Sequence, residues 1–256
     1  MIDRRSCERT VFLIVSDMAG KRIPTGIPEL DILIEGGLRA GKTYLVVGEP
    51  GTGKTVFGLQ FLVNGLMEKE KGLYVAIDEK PADVIEQAAS LGWDLTPFIE
   101  SKEFLILDAS AYFNTRVSDG QGRNVDVQRV VADLNNYIAR MGASRVVIDP
   151  VGPLLFSRDS TSRVLDQVRM LFYGLQANTN ATNLLTTYSV ERNVRGIEEY
   201  LVAGTIVLEM ALANSRFVRT LTIEKMRSTA LTPAQYLFTI VPDRGIVLQG
   251  LAESPT

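Results

Sequence analysis

Between residues 48 and 55 the chain reads Gly-Glu-Pro-Gly-Thr-Gly-Lys-Thr, and glycines spaced this way before a Lys-Thr pair admit few folds. The pattern G-x-x-x-x-G-K-[ST] arises by chance in roughly one chain in a hundred of this length. Its flanks narrow the choice. An apolar run from Tyr44 to Val47 precedes it, and a segment carrying Phe57, Phe61, Leu62 and Leu66 at helical spacing follows. In a strand, tight loop and helix in that order, successive backbone N–H groups converge on phosphate oxygens, and the helix N-terminus adds a favourable dipole. Gly48, Glu49, Pro50, Gly51, Thr52, Gly53, Lys54, Thr55 and Val56 are therefore the expected nucleotide-binding residues. Lys54 is expected to reach the β- and γ-phosphates and the Thr55 hydroxyl to ligate magnesium, which makes ATP and Mg2+ the expected cofactors.

The rest of the chain repeats the theme. Short β-branched runs at Leu73 to Ile77, Phe104 to Leu107, Val146 to Ile148 and Leu184 to Thr187 alternate with longer amphipathic segments, the signature of parallel strands joined by crossover helices. Val127, Val130, Val131, Leu134, Ile138 and Met141 share one helical face, and Gly142 is placed to end that helix. Pro81 suits the first position of a helix running on through Asp83 to Leu91, with Gly92 as its stop. After Gly204 the runs Thr205 to Met210, Phe217 to Lys225 and Tyr236 to Val241 read as consecutive strands, an antiparallel extension of the parallel sheet. The expected fold is α/β: a mostly parallel twisted sheet flanked by helices, as one domain over residues 21–250. Residues 1–20 read as a tail or arm, 251–256 as a short tail, and the loop around Ser118 to Asn124 as the mobile segment of the domain.

Composition excludes several chemistries. The 256 residues contain no histidine, which removes the commonest general base and transition-metal ligand, so carboxylates, lysine, arginine and hydroxyls must serve. A single cysteine, Cys7, rules out an internal disulfide framework. The net charge of −3 provides no global attraction to nucleic acid or anionic lipid. No apolar run approaches the roughly 20 residues of a membrane span, and Val11 to Val15 is too short for a signal peptide, so a cytoplasmic protein without membrane partners is expected.

Asp149 closes the apolar strand Val146 to Ile148, the place for an acid that orients hydrated magnesium beside a phosphate loop. Asp78 and Glu79 close the strand Leu73 to Ile77, and ligands collect at the carboxyl ends of parallel strands. This pair is the candidate for activating water, with the assignment between the two left open. As helix-terminal charges before Pro81 they would merely stabilise a dipole.

Taken together these segments resemble the KaiC family of RecA-superfamily ATPases across roughly residues 20 to 250. The markers are Thr25-Gly26-Ile27 with Leu30-Asp31, Gly36-Gly37-Leu38, the phosphate loop followed by Gln60-Phe61-Leu62, and Asp78-Glu79-Lys80-Pro81. Gly92-Trp93-Asp94, Ile106-Leu107-Asp108-Ala109-Ser110, Lys225-Met226-Arg227-Ser228-Thr229 and Phe238-Thr239-Ile240 complete the collinear set. The resemblance implies a RecA-like core, a homo-oligomeric ring that is commonly hexameric, and ATP bound between neighbouring subunits. It implies that Asp78 and Glu79 stand for paired catalytic glutamates, with aspartate in the first place. Lys225 and Arg227 match a lysine and an arginine that reach the γ-phosphate from the adjacent subunit, alongside Lys54 in the catalytic set. Thr186 and Thr187 resemble a threonine pair suited to sensing the γ-phosphate, and Asp243 falls near a base-contacting acid, one position out of register.

The sequence departs from the clock protein of that family in two ways. This chain has length for one ATPase domain where the clock protein has two, and Glu199-Tyr200-Leu201-Val202 lacks the Ser-Thr pair on which the latter phosphorylates itself. The expected function is therefore a slow ATPase ring that acts as a regulatory switch on an unidentified protein partner. One alternative is a nucleic-acid motor or recombinase accessory factor, for which Arg116, Arg123, Arg192 and Arg195 are the candidate contacts. Another is a non-hydrolysing module held together by nucleotide, should aspartate at position 78 disable water activation.

Overall fold

The computed structural model describes residues 20–110, 126–152, 161–177, 180–188, 201–213 and 215–252. The expectations placed on residues 1–19, on the 118–124 loop, on Arg116, Arg123, Arg192 and Arg195, and on Glu199 and Tyr200 lie outside the described residues.

In chain order the elements are β1 (Arg22–Ile23), α1 (Pro28–Leu33), β2 (Leu38–Arg39), β3 (Thr43–Gly48), α2 (Lys54–Met67), β4 (Gly72–Ala76), α3 (Pro81–Ser90) and α4 (Thr96–Glu100). They continue with β5 (Phe104–Asp108), α5 (Val127–Met141), β6 (Arg145–Asp149), α6 (Thr161–Gln176), β7 (Thr182–Thr187), β8 (Gly204–Ala213), β9 (Arg216–Met226), β10 (Gln235–Val241) and β11 (Gly245–Leu251). Nine strands form one sheet in the order β11-β10-β9-β8-β3-β7-β6-β4-β5, and β1 pairs with β2 apart from it. From β8 to β5 every pairing is parallel, and from β8 to β11 every pairing is antiparallel.

Alternation along the central strands builds two cores, one on each face. Tyr44, Val46, Tyr74, Val147 and Leu184 pack toward α2 in a cluster with Phe57, Phe61 and Leu66. Leu45, Val47, Leu73, Val75, Val146, Ile148 and Leu185 pack toward α5 and α6 in the other. The α5 stripe matches the periodicity, and Gly142 ends that helix in the left-handed conformation with φ +68°. Pro81 opens α3 and Leu91 caps it, just before Gly92.

Several elements go beyond the sequence reading, α6, β11 and the course of β8 among them. α6 buries Val168, Leu171, Phe172 and Leu175, a helical stripe interrupted by Gly174 and polar neighbours. β11 carries glycine at 245 and 250 and owes its strand geometry to β10, with a register shift at Leu237/Phe238. β8 is not purely antiparallel: Gly204 to Leu208 run parallel to β3 before the strand continues outward beside β9.

Two buried polar side chains fasten α2 in place. Arg145, at the start of β6, is ion-paired with Glu70, donates to the carbonyls of Pro24 and Phe61 at 2.8 Å each, and lies over the Phe61 ring. Gln60 Nε2 reaches the carbonyls of Gly26 at 2.6 Å and Arg244 at 2.9 Å, while its Oε1 accepts from the Ile246 amide at 2.7 Å. One side chain thus joins the segment before α1, the phosphate-loop helix and the turn into β11. Gln60→Leu strands these buried backbone groups and is expected to lower unfolding free energy by about 2–4 kcal/mol. Urea denaturation measures this against Gln249→Leu, an exposed control expected to change by under about 0.5 kcal/mol.

Candidate nucleotide site

The loop between β3 and α2 takes its shape from glycine where no other residue fits. Gly53, immediately before Lys54, has φ +109°, which a side chain strains against. A Cβ on Gly48 would lie 2.5 Å from the Leu208 carbonyl oxygen and 2.6 Å from Thr52 Oγ1. Thr52 in turn donates to the Glu49 carbonyl at 2.8 Å, bracing the loop from within. Inside the curl, Lys54 Nζ donates to the carbonyls of Gly48 at 2.8 Å and Glu49 at 3.0 Å, with the Tyr188 ring centroid 5.1 Å away. Burial pushes the Lys54 pKa below its ordinary value, and the charges of Asp149 and Glu49 oppose that shift. An ammonium held by neutral carbonyls in a partly desolvated loop is poised to exchange them for phosphate oxygens.

Asp149 ends β6 with its side chain almost fully buried. Its Oδ2 accepts from Thr55 Oγ1 at 2.8 Å and from the Tyr74 hydroxyl at 2.6 Å, and its Oδ1 accepts from Thr186 Oγ1. The sheet order puts these donors there, because β4 and β7 flank β6 on either side. Burial, reinforced by the Asp149 charge, holds the Tyr74 pKa well above its ordinary value, so its hydroxyl remains a donor.

Asp78 and Glu79 follow β4 and face the same cavity of about 350 Å³, which is also lined by Pro50, Gly51, Gly53, Lys54, Thr55, Val56, Gln87, Asp149, Pro150, Tyr188 and Ile240. Glu79 Oε2 accepts from Gln87 Nε2 at 2.7 Å, and Asp78 Oδ2 accepts from the Tyr188 hydroxyl at 3.0 Å. Burial raises the Glu79 pKa, the Gln87 amide lowers it, and the charges of Asp149, Asp83 and Asp78 raise it further. The structure therefore brings Lys54, Thr55, Val56, Asp149, Asp78 and Glu79 to one cavity, while Gly48, Glu49 and Thr52 shape the loop behind it. Gln87, Pro150, Tyr188 and Ile240 also line the cavity and Tyr74 supports Asp149 by its hydroxyl, none of which the sequence assigns to the site. Tyr188 is the most legible of them in retrospect, since it directly follows Thr186-Thr187 at a strand end.

Lys225 and Arg227 lie elsewhere. Gly204 opposes both Tyr44 and Met226, whereas Leu208 opposes Gly48 at the phosphate-loop end of the sheet. At about 3.3 Å per residue those levels are about 13 Å apart along the strands, so the basic pair sits at the opposite end from the loop of its own chain. The turn that follows is held firmly. Arg22 donates to Thr229 Oγ1 at 2.8 Å and the Ser228 carbonyl at 3.2 Å, Arg39 donates to the same carbonyl at 3.2 Å, and Glu35 accepts from the Ala230 amide. Asp243 does not join the cavity: its amide donates to the Leu91 carbonyl at 2.7 Å and its carboxylate lies against Gly92.

Among the described residues no helix is long and apolar enough to cross a membrane, and no cluster of three or more acidic or sulfur ligands could hold a metal alone. The second observation is compatible with magnesium, which binds through one or two protein oxygens together with substrate phosphates and water.

The family profile described as "ATPase: KaiC" matches residues 23–253. The chain is 35% identical over 234 residues to the circadian clock oscillator protein KaiC of Synechococcus elongatus, covering 88% of this chain and 43% of that protein. It therefore spans less than half the length of these clock relatives. A UPF0273 protein of Thermotoga maritima is 32% identical over 233 residues, covering 89% of this chain and 96% of that one. The solved structure of a KaiC-like protein from the hyperthermophilic archaeon Pyrococcus horikoshii OT3 matches with a TM-score of 0.76 at 31% identity, over 90% of this chain and 99% of that one.

The Glu79 shift yields a stability prediction. A carboxyl whose folded pKa lies above its ordinary value of 4.5 penalises the folded state at neutral pH, and the penalty fades as acid protonates both states. Glu79→Gln is thus expected to show a higher Tm than the natural chain at pH 7.5, with the gap closing below the ordinary carboxylate range. A lower Tm at pH 7.5 that acid leaves unchanged would refute the assignment.

Proposed function

Because the chain belongs to the KaiC family of RecA-like ATPases, we propose that it binds Mg-ATP in the Lys54 cavity and hydrolyses it slowly as a homo-oligomeric ring of about six subunits. The observation that carries this reading is the convergence of the phosphate loop, the Thr55–Asp149 pair and two carboxylates on one cavity.

The residues divide the work. Lys54 leaves the Gly48 and Glu49 carbonyls for the phosphates, and the loop amides complete the cradle. Thr55 and Asp149 are adjacent hard-oxygen groups beside the phosphate position, the donor set that magnesium takes in such loops. When bound there the ion would neutralise charge on the phosphates. Glu79, with its pKa moved toward neutrality, accepts the proton of the attacking water, and Asp78 orients that water. Thr186, bonded to Asp149, places a hydroxyl at the end of β7 where it senses the occupant of the site.

Lys225 and Arg227 complete the reaction on a neighbouring subunit. Their place at the far end of the sheet supports action in trans, and the Arg22, Arg39 and Glu35 contacts keep the following turn fixed for delivery. Ring assembly that depends on nucleotide is then the signal a regulatory protein partner reads.

Light scattering with and without Mg-ATP tests the ring. The natural chain is expected to assemble to about six subunits with ATP, and Lys54→Ala to stay small. Mixing Glu79→Gln, which keeps the phosphate loop and so still assembles, with Arg227→Ala, each inactive alone, is expected to restore about a quarter of the turnover, the share of interfaces that pair an intact Glu79 with an intact arginine. No recovery on mixing would refute the role in trans, and a monomer saturated with ATP would refute the ring.

A further inference from the structure

Tyr188 stands in the cavity between two groups that the chemistry requires. It directly follows β7, and its hydroxyl donates to Asp78 Oδ2 at 3.0 Å, a contact between residues 110 positions apart. Its ring lies over Lys54 Nζ, at 5.1 Å from the centroid. The phenol is a durable donor: burial, and then the hydrogen bond and charge of Asp78, push its pKa up to about 12, so it keeps its proton throughout the neutral range.

Asp78 has a short side chain at an exposed strand end, and an exposed carboxylate there exchanges rotamers freely. A carboxylate that is to hold a water in line with a phosphate must keep one orientation, because small misplacements cost catalytic effectiveness. With Oδ2 engaged by Tyr188, Oδ1 is left for the water. The contact also links the end of β7, whose Thr186 bonds to Asp149, with the end of β4, so that the two sides of the cavity move together.

We propose that Tyr188 is a positioning residue for hydrolysis, fixing Asp78 through its hydroxyl while its ring screens Lys54. This rests on the hydrolytic reading given above. The hydroxyl acts only through Asp78, so its removal must slow turnover without weakening nucleotide binding, and must do nothing once the carboxylate is gone.

Steady-state ATP hydrolysis by the full chain, with KM and kcat determined separately, tests this on Tyr188→Phe, Asp78→Asn and the double variant. Phenylalanine keeps the ring over Lys54 and deletes only the donor. Tyr188→Phe is expected to lower kcat about fivefold to tenfold, the effect of one hydrogen bond to a charged group, with KM within about twofold. The double variant is expected to match Asp78→Asn, because coupled residues are not additive. Unchanged kcat in Tyr188→Phe, or losses that multiply in the double variant, would overturn the role of Tyr188 and leave the hydrolytic site intact. Turnover absent from the natural chain, or unaffected by Asp78→Asn and Glu79→Gln alike, would overturn the hydrolytic reading and this inference with it.

Discussion

The site depends on one buried carboxylate. Asp149 at the end of β6 cannot be desolvated without compensation, since an isolated buried charge costs several kcal/mol. Thr55, Tyr74 and Thr186 supply hydroxyl donors from α2, β4 and β7. Satisfying this one group therefore fixes the relation of the phosphate-loop helix to three neighbouring strands. The requirement is met by the protein's own hydroxyls, and it leaves the Thr55 and Asp149 oxygens side by side at the phosphate loop. Neutral hydroxyls suit the purpose better than a lysine would: they solvate the carboxylate without cancelling its charge.

The antiparallel strands are part of the site rather than an appendage. Gln60 ties α2 to the turn before β11, Ile240 of β10 lines the cavity, and Arg219 of β9 donates to the Gly51 carbonyl at 3.2 Å. A Cβ on Gly53 would lie 3.2 Å from the Ile240 side chain. The phosphate loop is thus gripped by β8 on one flank and overlain by β9 and β10, so loss of the meander would free the loop as well as expose the core.

Much of this was legible before any coordinates. The strand–loop–helix around Lys54 follows from glycine chemistry, and the parallel strands follow from β-branched runs whose two buried faces demand continuous apolar sequence. Asp149, Asp78 and Glu79 were legible because acids closing such strands fall at the ligand-binding edge. Tyr74 and Tyr188 were not, because a tyrosine in or beside an apolar strand reads as core until its neighbours across the sheet are known. β11 escaped for a related reason: its glycines carry no periodicity, and its extended geometry is imposed by pairing with β10. Asp243 lies outside the cavity lining, in a tight turn with φ +62° whose amide bonds to the Leu91 carbonyl, a placement that its sequence neighbours do not announce.

The layout of charge constrains how copies of this chain can meet. The cavity opens at the carboxyl ends of the parallel strands, while Lys225 and Arg227 lie at the other end, beside a turn clamped by Arg22 and Arg39. A two-fold pairing is reciprocal, so it could complete both sites only if each chain presented its cavity and its basic end on one shared surface. Under the reading in trans a head-to-tail contact uses the two ends on separate neighbours, and repeated head-to-tail contacts close into a ring or run on as a filament. Under that reading the side chains that hold the turn at 228–230 would help to complete a site on another chain, far from their own phosphate loop. Coupling between nucleotide and assembly then needs no separate hinge, because every bound triphosphate would be touched by two chains at once.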